Sequence, residues 1–343
     1  MKSIALIVDV KNWAFDIQAH LIKSSLKDEL KIDIFYSKNE PYNENIVRIL
    51  EDVKDYDIIH FFWRKTLLQI CSSEVQKKLR DRNINIDELK NKISTGIYDH
   101  LFLEEDTYNQ LFNEFCKKYV TSSKKLYDIY LQNKKIKHPY MILGDTFDEK
   151  IFYPKNDKKF KEKKDNLVIG WVGNSSWNNK LLDNNKKTID FKGFHTVLTP
   201  VIQELKDEGY NIETYYADKN TNFIPNDKMC DYYSKIDVYI CVSITEGTPR
   251  PLIEAMGCGV PIITTDIGVA KEYLGIKQEE YIISERKIGE SDYKVKKELK
   301  QKIVQLYNNR EELEELSKEN YLMSKEINNS CYKEKYKKYF LEF

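Results

Sequence analysis

Short runs of β-branched and apolar residues alternate along this chain with longer stretches of helical period, and the alternation starts twice. Ser3–Val8, Ile32–Tyr36, Ile58–Phe62, Lys92–Ile97 and Lys118–Thr121 have the length and composition of buried strands. Helix-period stretches such as Asp16–Leu30 and Ile46–Val53 lie between them. This strand–helix–strand rhythm predicts a parallel sheet covered on both faces. The rhythm resumes with Leu167–Val172, Asn211–Tyr216, Val238–Val242, Pro261–Thr264 and Tyr281–Ile283 as strands, and Thr196–Glu208 and Leu252–Met256 as helices. The expectation is an α/β chain of two doubly wound units.

Length agrees, since 343 residues is long for one hydrophobic core. The expected partition is a first domain over 1–150, a linker over 151–166, a second domain over 167–319 and a helical tail over 320–343. The linker reading rests on Pro154–Asn166, which is basic, polar and free of apolar periodicity. Lys294–Glu319 reads as helical and charged. In the tail, Tyr332, Tyr336, Tyr339 and Phe340 recur at partly helical spacing, which suits docking on the body of the protein.

Charge and cysteine usage narrow the class. Lys+Arg and Asp+Glu number 55 each, so the chain lacks the basic excess of a dedicated nucleic-acid binder. The six cysteines form no C-x-x-C pair, and several sit in apolar runs, as reduced thiols of a cytoplasmic protein do. The first apolar run is too short for a secretory signal, and no apolar stretch approaches the ~20 residues that span a bilayer. The Lys117–Lys137 stretch is locally basic. Peripheral contact with the inner face of an anionic membrane, or with an anionic acceptor, stands there beside a plain solvated helix face.

The chemistry concentrates in Glu246-Gly-Thr-Pro-Arg-Pro-Leu-Ile-Glu254. Two carboxylates stand eight positions apart around a Gly/Pro turn that follows a strand and opens a helix. In open α/β sheets ligands bind beyond the carboxyl ends of the strands. A helix N-terminus adds N–H groups and partial positive charge, which suit a phosphate. Pro251 fits the first helical turn, where its missing N–H costs nothing. Glu254 can accept two hydrogen bonds from a vicinal diol such as a ribose, and Glu246 can bind hexose hydroxyls. The site therefore suits a phosphorylated, polyhydroxylated ligand.

Taken with the following Ala-Met-Gly-Cys-Gly-Val-Pro-Ile-Ile-Thr-Thr-Asp-Ile-Gly, this segment resembles the E-x7-E region of retaining GT-B glycosyltransferases of the family 4 type, the glycosyl transferases of group 1. Gly144–Asp148 with Ile151–Pro154 resembles the segment joining their two domains. Leu167–Gly173 is similar to the first strand of their donor domain, Lys192-Gly-Phe to the Lys-Gly before its first helix, and Met229–Val242 to the run into the donor-site strand. The resemblance covers most of residues 144–275. In the first half it is thinner: Thr95–His100 resembles the loop that brings a histidine to the donor sugar.

The resemblance implies the GT-B fold, two facing Rossmann-like domains with a cleft, and transfer from a nucleotide sugar. It implies catalytic roles for Glu246 on the hexose and His100 on the sugar. Donor binding would fall to Lys192 on the pyrophosphate, Glu254 on the ribose, and Asn174, Gly247, Thr248, Pro249 and Arg250. No cofactor is implied beyond the nucleotide-sugar substrate, and no D-x-D metal motif stands in a donor-site context, so transfer is expected to be metal-independent. The loop Asp9–Phe15 resembles that of a subset of bacterial surface-glycan transferases, with Asp9 and Trp13 as acceptor contacts; Trp13 and Phe15 packing on the next helix is the other reading. Phe61-Phe62-Trp63-Arg64 ends another strand with the same two readings.

The chain departs from the family at two points. Gly173-Asn174-Ser175-Ser176 stands where the family has Gly-Arg, so a pyrophosphate cation is missing. Pro249 replaces a common glycine and removes one amide. Arg250 either compensates for the missing cation or faces solvent. There is no G-x-G-x-x-G after a strand, Walker loop, H-E-x-x-H or G-x-S-x-G. The expected function is transfer, with retention, of a hexose or N-acetylhexosamine from a nucleotide-sugar donor, UDP-linked, to a surface glycan, a lipid-linked intermediate or a protein such as flagellin. The alternatives are a UDP-sugar 2-epimerase on the same fold and a non-catalytic sugar-nucleotide or glycan binder.

Overall fold

The computed structural model describes the chain apart from residues 39–41, 101–102, 104, 157–158, 161–164, 178–180 and 184–185, and the side chains of 42 and 43. Part of the expected linker, 157–158 and 161–164, thus lies outside the described residues. The chain packs as two units, one of residues 1–146 with 329–343 and one of residues 147–328.

The first unit carries six parallel strands: β1 (Ser3–Val8), β2 (Lys31–Tyr36), β3 (Ile58–Phe61), β4 (Ile93–Ile97), β5 (Lys118–Thr121) and β6 (Met141–Ile142), in the order β2-β1-β3-β4-β5-β6. The second carries β7 (Leu167–Gly173), β8 (Ile212–Asp218), β9 (Val238–Cys241), β10 (Ile262–Thr265) and β11 (Ile282–Ile283), in the order β8-β7-β9-β10-β11, again all parallel. The expected strands are all present, with ends displaced by one or two residues.

Continuous apolar runs become central strands because both sheet faces are covered. Ala5, Ile7, Ile59, Phe61 and Ile93 join one core with Val47, Leu50 and Leu79 from the helices. Leu167, Ile169, Val238, Ile240 and Ile263 join another with Val197, Val201, Leu205, Leu299 and Leu313. Gly170 marks a close helix–strand approach, since a Cβ there would strike Ile236 and Tyr232.

Both strand orders reverse direction beside the first strand of the unit, at β1/β3 and at β7/β9. These are the switch points at which an open parallel sheet parts its loops and makes room for a ligand.

Two helical expectations need correction. Thr196–Glu208 is a π-type turn over Phe194–Leu198 followed by an α-helix over Thr199–Asp207. Lys294–Glu319 is two helices, Tyr293–Asn308 and Arg310–Ser324, parted at Asn309, whose side chain caps the second by accepting from Glu312 N at 3.3 Å.

The tail also divides. Its helix Asn329–Leu341 belongs to the first unit, where Tyr332, Tyr336, Tyr339 and Phe340 are buried. Gln18 Nε2 donates to Tyr336 Oη at 2.7 Å, and Tyr336 Oη to Gly144 O at 2.6 Å. All six cysteines are free thiols. Among the described residues no helix is long and apolar enough to cross a membrane.

Candidate functional site

In the second unit, β9 ends at Cys241 and the chain turns through Ser243 and Glu246 into the helix Arg250–Gly257. Glu246 is held from two sides. Ser243 Oγ donates to its Oε1 at 2.9 Å, and Lys192 Nζ forms an ion pair with the same oxygen. Thr265 Oγ1, at the end of β10, donates to Ser243 O at 2.9 Å and so fixes the start of the loop. The Lys192 and Glu246 side chains are 24% and 18% exposed, so the pair is reachable from solvent. Burial pulls the Lys192 pKa down, but the Glu246 carboxylate more than offsets this and holds it above the usual lysine value. Lys192 also lies 5.5 Å from the Trp177 ring centroid.

The loop is seated on a second backbone. Gly268 has φ +45°, and a Cβ there would overlap the carbonyl oxygen of Gly247. Only glycine allows the two loops to lie so close. Gly268 is a site residue that the reading of roles missed, although it closes the conspicuous run that follows Glu254. Gly247, Thr248 and Pro249 are buried, and Pro249 sits in the position before the first helical residue, with its carbonyl accepting from Leu252 N at 2.9 Å.

The second carboxylate is placed differently from the first. Glu254 is 4% exposed; Arg250 Nη2 donates to its Oε1 at 3.2 Å and Tyr233 Oη to its Oε2 at 3.1 Å. Burial raises its pKa, and the charge of Arg250 and the Tyr233 hydrogen bond only partly counter that. Arg250 is itself 6% exposed, so of its two expected placements the solvent-facing one is excluded. Its guanidinium lies against Glu254, one helical turn away.

Asn174, where the family carries its arginine, builds a turn. Its Oδ1 accepts from Ser176 N at 3.0 Å and Asn220 Nδ2 at 2.9 Å. The turn closes round Asp218, at the end of β8, which accepts from Ser175 N at 3.0 Å and Ser175 Oγ at 2.8 Å. Burial pushes the Asp218 carboxyl up, but these hydrogen bonds and those from Asn220 and Thr221 bring it below the ordinary value. Asp218 was not singled out in the sequence, because an aspartate ending a strand carries no local signature until the neighbouring strand is known.

The first unit has a corresponding cluster at its own switch point. Asp9 follows β1, is 8% exposed, and lies 3.5 Å from Lys38 Nζ through Oδ2. Lys38, after β2, stands 4.7 Å from the ring centroid of Trp63, after β3, and 6.0 Å from that of Trp13. Asn12 adopts φ +63°, with its N–H donating to Asp16 Oδ2 at 2.7 Å, so the loop carrying Trp13 is fixed in a conformation that few residues adopt. Phe15 packs, but not on the next helix as expected: it lies within that helix, Ala14–Leu26, and its ring meets Phe62 and Tyr98.

His100 is exposed, and its loop is clamped just upstream: Arg64 Nη1 donates to Asp99 O at 2.9 Å, and Arg64 pairs with the Asp99 carboxylate. The basic stretch is partly engaged at home. Lys118 Nζ donates to Tyr339 O at 3.0 Å, and Lys124 and Lys135 pair with Asp128 and Asp106. Burial brings the Lys118 pKa down to about 8.

Comparison with known proteins meets this geometry. Residues 203–323 match the family model of the glycosyl transferases group 1. Protein CapJ of Staphylococcus aureus is 29% identical over 175 residues, a match covering 43% of this chain and 41% of CapJ, less than half of either. Two solved structures share the fold over the full length of this chain. HepE of Anabaena, in complex with UDP-glucose, superposes with a TM-score of 0.66 at 13% identity, covering 100% of both chains. Sucrose-phosphate synthase of Thermosynechococcus elongatus superposes at 0.69 and 13% identity, covering 100% of this chain and 99% of its own.

Proposed function

We propose that this chain, a GT-B protein whose second unit carries a glycosyl transferases group 1 domain, transfers a hexose or N-acetylhexosamine from a UDP-linked donor to an acceptor hydroxyl. The observation that carries the reading is the Lys192–Glu246 pair at the β7/β9 switch point, partly exposed and held by Ser243. An ammonium beside a carboxylate matches a sugar diphosphate: the cation for the pyrophosphate, the carboxylate for hexose hydroxyls. In the free protein the two charges neutralise each other. Donor binding draws the ammonium toward the pyrophosphate and frees Glu246 to accept from the sugar. That HepE, of the same fold, holds UDP-glucose supports the donor class.

Lys192 acts where charge develops. As the bond from the anomeric carbon to the phosphate oxygen breaks, the nucleoside diphosphate gains negative charge, and a fixed cation stabilises that state more than the bound donor. The acceptor hydroxyl bonds to the anomeric carbon on the face the phosphate leaves, and its proton passes to the departing phosphate oxygen, which retains configuration. Glu254 receives the ribose diol with the lone pairs that Arg250 and Tyr233 leave unused. Asn174, Gly247, Thr248 and Pro249 shape the donor loops, and His100 contributes a contact to the donor sugar.

On the acceptor side, Asp9 and Trp13, with Trp63 and Lys38 beside them, offer what a sugar uses: flat aromatic faces, an acceptor and a donor. The acceptors that fit are a surface glycan, a lipid-linked intermediate or a protein such as flagellin, handled in the cytoplasm or at the inner membrane face.

The test is turnover of Glu246→Ala. UDP release from a UDP-hexose should fall by at least a hundredfold, with the circular dichroism spectrum and melting temperature close to wild type. Near-normal turnover removes Glu246 from the mechanism. Incubation with UDP-GlcNAc alone separates the epimerase alternative, which would yield an epimerised nucleotide sugar without an acceptor. Tight UDP binding without any turnover would favour the non-catalytic binder.

A further inference from the structure

Arg286 follows β11, is 6% exposed, and lies far in sequence from both Lys192 and Glu246. Its guanidinium makes five hydrogen bonds. Nε and Nη2 donate to the two oxygens of Asp292 at 2.8 and 2.9 Å, a bidentate fork. Nη2 also donates to Thr196 Oγ1 at 3.1 Å. Nη1 donates to the backbone carbonyls of Asp190 and Val242, each at 2.9 Å.

Those two carbonyls belong to the two segments that present the donor site. Asp190 opens the turn that carries Lys192. Val242 immediately precedes Ser243, whose hydroxyl holds Glu246. One planar group therefore joins the backbone behind the cation to the backbone behind the carboxylate.

Further contacts show how closely the join is built. Gly193, next to Lys192, has φ +68°, and a Cβ there would strike Val242 O and Arg286 Nη1. Asp190 Oδ2 accepts from His195 N and Thr196 N at 2.8 Å each, closing the turn from the other side. Thr196 Oγ1 in turn donates to Asp292 Oδ2 at 3.1 Å. The π-type turn at Phe194–Leu198 starts at this point, with Leu198 N donating to Gly193 O at 2.9 Å. Such turns are a recurrent means of re-aiming residues at functional sites.

We propose that Arg286, oriented by Asp292, is a positioning residue for Lys192: it fixes the Lys192–Gly193 turn against the end of β9 so that the ammonium meets the donor pyrophosphate. The inference rests on the reading of Lys192 as the pyrophosphate cation. Lysine cannot replace Arg286 in this task, because one ammonium cannot fork onto a carboxylate and reach two carbonyls and a hydroxyl in the same plane. A guanidinium buried only to fill space would be a poor choice, since its desolvation is expensive and an apolar side chain would fill the same volume.

The experiment is calorimetric titration of the full chain with UDP, in wild type, Lys192→Ala, Arg286→Lys, the double variant Lys192→Ala/Arg286→Lys, and Asp292→Asn. Lys192→Ala should weaken UDP binding by about 10- to 100-fold, the range for loss of a charged hydrogen-bond partner. Arg286→Lys should weaken it by about 5- to 10-fold although Lys192 is intact, and Asp292→Asn should act in the same direction. In the Lys192→Ala background, Arg286→Lys should add less than about twofold, because a residue that works through Lys192 has nothing left to position.

A structural role alone would move the melting temperature but not this coupling. Wild-type affinity in Arg286→Lys and Asp292→Asn overturns the proposal, as does an Arg286→Lys effect undiminished in the double variant. If Lys192→Ala itself binds UDP as wild type does, the reading of Lys192 fails and the positioning role with it. Absence of UDP binding by the wild-type chain overturns the donor assignment and this inference together. Should Arg286→Lys not fold, the cycle is run with Asp292→Asn in its place.

Discussion

Two carboxylates that look equivalent in the sequence are put to different uses by the fold. Glu246 stays accessible, with Ser243 and Lys192 aiming it. Glu254 is buried against Arg250 and Tyr233. Arg250 could not be placed from the sequence, because one residue at a helix start can turn to either side. Its position four residues before Glu254 offered an i,i+4 partner, and the burial of every residue in that helix but Pro251 left it no exposed face. Gly268 yields a prediction at this scale. A methyl group there meets Gly247 O at a φ that disfavours L-residues. Gly268→Ala should destabilise the second unit by ~2 kcal/mol and weaken UDP binding by more than tenfold, checked by thermal unfolding and titration. Wild-type binding would show that the Gly247 loop does not depend on this approach.

The elements were legible where period and burial coincide. The central strands are runs buried on both faces, so composition alone marks them, whereas the edge strands β2 and β8 are only partly buried. The break at Asn309 was missed: Asn309 with Glu312 three positions on is the pattern of a capped helix start, but the charged surroundings hide it. The docking of helix Asn329–Leu341 was only half visible, since its aromatics say that it packs but not on what. It packs in part on His60, whose ring lies against Phe62, Tyr339 and Phe340 with Nδ1 2.9 Å from Ser94 Oγ.

Burial brings the His60 pKa from 6.5 down to about 3. Between those values the unfolded chain binds a proton that the folded unit refuses. Stability therefore rises with pH across that window and is lost as pH falls from about 6.5 toward 3, by up to ~1.4 kcal/mol per pH unit. His60→Gln, which can still bond Ser94, should flatten the melting temperature of the first unit between pH 6.5 and 4.5. An unchanged slope would assign the acid sensitivity to other groups.

For the molecule as a whole, the prediction concerns the division into two units. The residues proposed for the donor, His100 apart, fall within 147–328, and those proposed for the acceptor within 1–146. UDP at about 100 times its dissociation constant should stabilise the unit that binds it by ~2.7 kcal/mol. That is a shift of several degrees for a unit of this size. Differential scanning calorimetry should show the shift in the transition of the second unit, and Lys192→Ala, binding UDP about 10- to 100-fold more weakly, should cut it to about 0.4–1.4 kcal/mol at the same UDP. A shift undiminished by Lys192→Ala would place the nucleotide elsewhere.

The sequence by itself determined the two parallel α/β units, the family resemblance and the segment proposed to hold the donor chemistry. Each of these is written in local pattern: burial on two faces, a turn that opens a helix, a run of residues in fixed order. Tertiary structure decided which charge meets which. Lys192 reaches Glu246 across 54 positions, and Arg286 reaches Asp190 and Val242 across 96 and 44. Such pairs are made by the order in which parallel strands lie side by side. Only the folded sheet brings the carboxyl ends of β7 and β9 together, and with them the turn and the loop that a distant guanidinium holds in register.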